Sequence, residues 1–335
     1  MDHLEKHTLT VSRGFTYTFY TSPASPSNAG HPAILLCHGW PDSAELWDDI
    51  SKELLSLPNR LVIPDLLGYG GTSKPTDPSA YASELMVQDI MEVLASVGVS
   101  GPNSILPIGH DWGSFLAQRV YLFGPEHCAG LGMVNVSYMP PSGEPYSMEM
   151  MNEMTQQAFG YPGFAYWEVF ASDTGHELLD QHPESVWCVA HGQGENWLLV
   201  NWCKYGAMAE YIGNGKTDPL KSYAGPERTE RRERWLKQMK EAGFAGPQCW
   251  YRASVKGVHV EGEKKIAQET LLITKPTLFI GCTQDQVCRL EMIESTKPLL
   301  PNLMTKTIES GHWSPWEKPA EVSAAILEYV RSNGL

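Results

Sequence analysis

The stretch Ser104-Ile105-Leu106-Pro107-Ile108-Gly109-His110-Asp111-Trp112-Gly113-Ser114 decides how this chain reads. An apolar run, Ser104 to Ile108, predicts a strand, and a helical pattern, Ser114 to Leu122, follows almost at once. Glycines on both sides of a central residue let the backbone double back between strand and helix and expose the side chain in the middle. That side chain is the carboxylate of Asp111, where serine is the more familiar occupant. A serine alkoxide attacks acyl carbon, whereas a carboxylate is competent toward a strained or activated sp³ carbon such as that of an epoxide or alkyl halide. Attack leaves an alkyl ester, and adding water to its carbonyl needs a base and an oxyanion hole. Asp is also a favoured helix cap, so the rest of the chain has to supply the partners.

The partners come from three other strand ends. Met304 to Glu309 reads as a strand ending in Ser310-Gly311-His312-Trp313, and Thr277 to Cys282 as one ending in Thr283-Gln284-Asp285. Catalytic groups in open α/β sheets collect beyond the carboxyl ends of the strands. His312 is therefore the expected base that activates water, and Asp285 the group that fixes its tautomer and stabilises the imidazolium. Ala33 to Cys37 leads into His38-Gly39-Trp40-Pro41, where a glycine lets the chain pass close to the turn at Asp111. The backbone amides of Trp40 and Trp112 are the expected oxyanion donors. Asp65-Leu66-Leu67-Gly68-Tyr69-Gly70-Gly71 reads as a shaping loop without chemistry.

Between residues 8 and 140 short apolar runs alternate with longer helical patterns, as in a mostly parallel sheet with helical crossovers. Leu9 to Ser12 and Phe15 to Tyr20 read as an opening pair, followed by Ala33 to Cys37, Leu61 to Pro64, Ser104 to Ile108 and Leu131 to Val136. The Pro- and Gly-rich segment Thr21 to Pro32 reads as an exposed connection. From about Ser137 the alternation stops and a helix- and aromatic-rich region runs to about residue 265, after which strand patterns return and Pro319 to Arg331 closes as a helix. The expected organisation is a sheet domain in two parts, 1–137 and 266–335, interrupted by a helical cap insertion, 138–265. Eight strands, mostly parallel, are expected, with the substrate pocket between sheet and cap.

Of 335 residues 42% are hydrophobic and 19% charged, which places the chain among globular proteins. Acidic residues outnumber basic ones by 39 to 25, and a formal charge of −14 argues against nucleic acid or an anionic membrane surface as partner. The basic run Arg228 to Lys237, interleaved with Glu230 and Glu233, reads as a solvated helix face. Seven cysteines without CxxC spacing predict reduced, mostly buried thiols. No run is long enough to span a membrane and MDHLEKHTLT lacks a signal-peptide core, so a cytoplasmic protein, monomer or homodimer, is expected.

HGWPDS, GHDWGS, QDQV and ESGHW, in this order and spacing, resemble the soluble epoxide hydrolase family of α/β-hydrolases over nearly the whole chain. The resemblance implies the α/β-hydrolase fold, hydrolysis of an apolar epoxide to a vicinal diol, and no cofactor or metal. It further implies two cap tyrosines that hold the epoxide oxygen. GFAYWEVF and FAGPQCWYRAS nominate Tyr166 and Tyr251, with Tyr161 competing for the first place. It also implies a cis bond before Pro41. Unlike two-domain animal members, the chain begins directly at the hydrolase sheet, so no phosphatase domain is expected.

The insertion carries Met148, Met150, Met151 and Met154 beside Phe159, Phe164 and Trp167. Most of this cluster reads as helix packing, with Met151, Trp167, Trp40, Trp112 and Trp313 nominated as substrate contacts. His176, His182, His191 and His259 lack ligand spacing and read as surface groups. Two rivals use the same fold. One is a haloalkane or haloacid dehalogenase, although Trp stands after the nucleophile and in the HGxP position where those enzymes favour Arg or Asn. The other is a ligand receptor without turnover, against which the complete set of nucleophile, acid and base argues. Detoxification and a biosynthetic ring opening by an internal hydroxyl both remain compatible with the sequence.

Overall fold

The computed structural model describes residues 1–335, the side chain of Pro226 aside. Eight strands form one sheet: β1 (Glu5–Thr10), β2 (Thr16–Thr21), β3 (Ala33–Cys37), β4 (Leu61–Pro64), β5 (Ile105–His110), β6 (Leu131–Val134), β7 (Thr277–Cys282) and β8 (Leu303–Ile308). Their order is β1-β2-β4-β3-β5-β6-β7-β8. The pairs β1–β2 and β2–β4 are antiparallel and the others parallel.

Strands β3 to β7 are buried along their whole lengths. Strands covered on both faces read as near-continuous apolar runs, and for that reason β3, β4 and β7 keep the bounds expected from the sequence. The edge strand β1 begins four residues before the expected Leu9, at Glu5. It is exposed and polar (EKHTLT), and no apolar pattern marks it. Strand β6 ends at Val134 instead of Val136 because Asn135 takes φ 65°, which a strand cannot continue through.

Helices α1 (Asp48–Leu54), α2 (Ser83–Ser96) and α3 (Trp112–Phe123) belong to the first part of the core. Between β6 and β7 lie α4 (Met148–Phe159), α5 (Trp167–Phe170), α6 (Gly175–Gln181), α7 (Pro183–His191) and α8 (Trp197–Asn201). The same insertion continues with α9 (Ala207–Gly213), α10 (Thr229–Ala242), α11 (Cys249–Val255) and α12 (Val260–Glu263). After β8 come α13 (Ser314–Glu317) and α14 (Pro319–Asn333), the latter packed on α1. No helix among the described residues is long and apolar enough to cross a membrane. All seven cysteines are unpaired, and only Cys288 is not fully buried.

The insertion is fastened to the core by charges that the sequence did not mark. Arg231 of α10, expected on a solvated face, is instead buried with its guanidinium 4.5 Å from the Trp316 ring and 3.4 Å from Asp49. Its neighbours Arg228 and Arg234 stay exposed and pair with Asp49 and Glu45, contacts that contribute about 0–1 kcal/mol each. At the other junction Arg119 of α3 and Glu263 of α12 form a buried pair at 2.7 Å, and Glu263 also accepts from Ser83 Oγ.

Two of the four histidines expected at the surface are buried. His259 accepts from the Ser83 amide through Nδ1, and burial lowers its pKa to about 4. His191 is enclosed by Trp187, Trp313 and Trp316. A polar side chain among loop residues looks solvent-facing in sequence, and only the packing of cap on core encloses it.

Candidate active site

Asp111 sits between β5 and α3 with φ 54° and ψ −126°, a conformation costly for any residue with a side chain. The glycines around it are required by close approach. A Cβ on Gly109 would overlap the Gly113 carbonyl, and one on Gly113 would overlap the carbonyls of Cys37 and His38 at the end of β3. The same closeness brings the loop after β3 to the carboxylate: the Trp40 amide donates to Asp111 Oδ1 at 2.7 Å, and the Trp112 amide also faces the carboxylate. A Cβ on Gly39 would overlap the Asp111 carboxyl. His38, with Nε2 accepting from the Leu66 amide and Nδ1 facing Gly39 O at 3.0 Å, ties this loop to the next. The Trp40–Pro41 bond is cis.

His312, beyond β8, bridges two carboxylates. Its Nδ1 lies 2.7 Å from Asp285 Oδ2 and its Nε2 3.4 Å from Asp111 Oδ2. Asp285, beyond β7, is fully buried and accepts also from the Val287 amide, the Cys288 amide and Asn135 Nδ2. Burial alone would raise its pKa; the His312 charge and these hydrogen bonds overcome that and bring it down to about 2. Burial likewise opposes ionisation of Asp111 and of His312. The mutual attraction prevails in both, holding Asp111 below the usual carboxylate range and His312 well above the usual imidazole value. The resting centre is an imidazolium between two carboxylates.

Three neighbours of this centre went unread in the sequence. Asn135, the residue that ends β6, orients Asp285 and in turn accepts from Ser314 Oγ at 2.7 Å; an amide interrupting the apolar run MVNVS was the available signal. His110 packs its Nε2 2.7 Å from the His312 carbonyl, joining the nucleophile turn to the histidine loop. Asp42 accepts from Trp313 Nε1 at 3.2 Å, and its other oxygen is buried without a partner. Burial, then the Asp111 charge, pushes its pKa up to about 8. Asp65 is buried and accepts from the Ala44 and Gly71 amides, which fits a shaping loop.

Tyr166, just before α5, and Tyr251, in α11, face Asp111 from the cap with ring centroids 6.2 Å apart. Together with Asp111 they border two cavities. One is a chamber of about 420 Å³ whose walls include Trp112, Met151, Met154, Phe159 and Trp167. The other is a void of about 10 Å³ that also touches His312. Burial raises both phenols well above their ordinary pKa, so both are protonated. Tyr161 is elsewhere, donating to the Gln286 carbonyl at 2.9 Å. Of the nominated substrate contacts, Trp112, Trp167 and Met151 line the chamber, while Trp40 and Trp313 line the small void and not the chamber.

Residues 32–319 match the alpha/beta hydrolase fold family. The chain is 30% identical over 307 residues to the bifunctional epoxide hydrolase 2 of Rattus norvegicus, covering 90% of this chain and 52% of that one. It thus spans about half the length of its rat and mouse relatives. To epoxide hydrolase srdG of Neurospora crassa it is 26% identical, covering 97% of this chain and 95% of that one. The crystal structure of epoxide hydrolase A from Mycobacterium thermoresistibile superimposes with a TM-score of 0.78 at 21% identity, covering 98% of each chain.

Proposed function

We propose that this chain, which belongs to the α/β-hydrolase fold family, hydrolyses an apolar epoxide to a vicinal diol through an ester on Asp111. The observation that carries the reading is the placement of two buried phenols, Tyr166 and Tyr251, on the same cavities as a carboxylate at the strand-to-helix turn. Asp111 forms a bond to an oxirane carbon as the carbon–oxygen bond breaks, and the phenols stabilise and protonate the oxygen, which stays attached to the substrate. A phenolate so formed recovers its proton from the His312 imidazolium. Esterification has meanwhile removed the Asp111 charge, one of the causes that hold His312 protonated.

Neutral His312 then draws a proton from water as the hydroxide adds to the Asp111 ester carbonyl. The Trp40 and Trp112 amides hold the oxyanion. Collapse breaks the acyl–oxygen bond, and the departing alkoxide takes the proton of the added hydroxyl, which frees the diol and leaves Asp111 as carboxylate. His312 keeps the proton it drew from water, so the one lent in the first half is replaced in the second. Asp285 keeps the imidazole oriented throughout. The small void between Asp111 and His312 has room for about one water molecule.

A second reading has one observation in its favour. The buried indole N–H groups of Trp112 and Trp167 make no hydrogen bond of good geometry and lie beside the Tyr251 and Tyr166 phenols, with their rings 5.7 Å apart on the chamber wall. Two such donors suit a departing halide. Single turnover in ¹⁸O-water separates the readings when combined with Tyr251→Phe. Epoxide hydrolysis puts the label into Asp111 and yields diol, and Tyr251→Phe lowers that rate by about 10²-fold or more. Halide release from haloalkanes that survives Tyr251→Phe, with no diol from any epoxide, overturns the proposal in favour of dehalogenation.

A further inference from the structure

Space around the nucleophile is divided unequally. Asp111, Tyr166 and Tyr251 border a chamber of about 420 Å³ on one side and a void of about 10 Å³ on the other. An oxirane held between the carboxylate and the two phenols has one carbon toward the chamber and the other toward the void. We infer that the substrate is an epoxide with a single large apolar arm, that is, a terminal epoxide, and that the product is a diol with one primary hydroxyl. The inference rests on the epoxide reading above.

The wall of the void is rigid for identifiable reasons. Trp40, Trp202 and Trp313 pack edge to face, Trp40 with Trp202 at 5.8 Å and Trp202 with Trp313 at 5.9 Å between ring centroids. Two of the three indoles are pinned by hydrogen bonds, Trp202 to the Val189 carbonyl at 2.8 Å and Trp313 to Asp42 at 3.2 Å. A trans-disubstituted epoxide sends its second arm into this wall, and close-packed rings in a buried network do not shift cheaply. The chamber wall is of another kind: Met151, Met154 and Met292 carry flexible thioethers that adapt to an apolar arm.

Beyond the wall lies a third cleft of about 360 Å³, lined by Leu198, His312 and Trp313 among others. These same three residues line the small void. Leu198, on the short helix α8, is the aliphatic one of the three, without a polar atom in its side chain to anchor it. It is the plug between void and cleft, and trimming it joins the two into space for a second arm.

The test is a pair of isomers of equal carbon number, a terminal epoxyalkane and its trans-internal counterpart, assayed for diol. The wild-type protein favours the terminal isomer in kcat/KM by about 100-fold or more, and Leu198→Ala shrinks that preference by about tenfold. Turnover of the trans-internal isomer within about threefold of the terminal one overturns the inference while leaving the epoxide reading intact. A preference unchanged in folded Leu198→Ala overturns the assignment of the plug; should that variant not fold, Leu198→Val replaces it. Failure to form diol from either isomer, or from any other epoxide, brings down the epoxide reading itself and this inference with it.

Discussion

Replacing His312 with Gln separates the two halves of the proposed reaction. Ester formation draws on Asp111 and the phenols, with His312 needed only to return a proton to the phenolate, which water can supply in its place, whereas hydrolysis requires a base at the imidazole position, 3.4 Å from Asp111 Oδ2. Gln can still donate an amide N–H toward Asp285, which accepts from Nδ1 at 2.7 Å, but it offers no basic nitrogen. Loss of a general base costs about 10²–10⁴-fold. Because no other base borders the void, the upper end applies, which corresponds to about 5 kcal/mol of barrier. The ester therefore accumulates to one per protein while diol formation nearly stops.

The same substitution leaves two carboxylates without their shared cation. Breaking a buried pair costs about 3–5 kcal/mol, and the Gln amide recovers about 1.5–3 kcal/mol by donating to Asp285. The net loss of roughly 2 kcal/mol lowers Tm by about 3 °C in a chain of this length, leaving a folded protein to assay. Intact-mass measurement after mixing with excess epoxide reads the adduct, and peptide mapping places it on Asp111. A folded His312→Gln protein that carries no adduct, or that forms diol within about tenfold of wild type, refutes the two-step reasoning.

Two further outcomes follow from the geometry. Gly39→Ala puts a methyl group into the space of the Asp111 carboxyl. It is expected to lower kcat/KM by about 10²-fold or more through displacement of the nucleophile, with the adduct yield in a His312→Gln background falling in step; normal kinetics would mean that the loop moves freely. Asp42, whose pKa burial raises from the ordinary carboxylate range to about 8, binds a proton in the folded state that the unfolded chain releases above about pH 4. Its contribution to stability is complete below about pH 4 and is lost as pH rises toward 8. Asp42→Asn should therefore raise Tm relative to wild type by an amount that grows between pH 5 and pH 8, and a pH-independent difference by thermal denaturation would show that Asp42 is ionised in the fold.

The architecture was legible where chemistry and pattern coincide. Apolar runs mark the strands buried on both faces, and Trp40, Asp111 and Asp285, to which the proposed reaction assigns roles, stand just after three of them, β3, β5 and β7; His312 follows β8, which is only partly buried. The edge strand β1 was misplaced because an exposed strand carries no apolar signal. His191 and His259 were misread because their burial depends on elements distant in the chain.

By itself the sequence determined the order of sheet, insertion and sheet, the carboxylate at the turn, and the acid and histidine that follow it, since each is written in a local pattern of period, glycine and polar residue. Only the tertiary structure decided which tyrosines face the carboxylate, that Asn135, His110 and Asp42 surround it, and that the space beside it is large on one side and closed on the other. Those facts arise from contacts between distant parts of the chain, cap on core and core on core, across gaps of up to 271 residues, as between Asp42 and Trp313. Side-chain identity along a chain does not encode the shape of the cavity that such packing leaves behind.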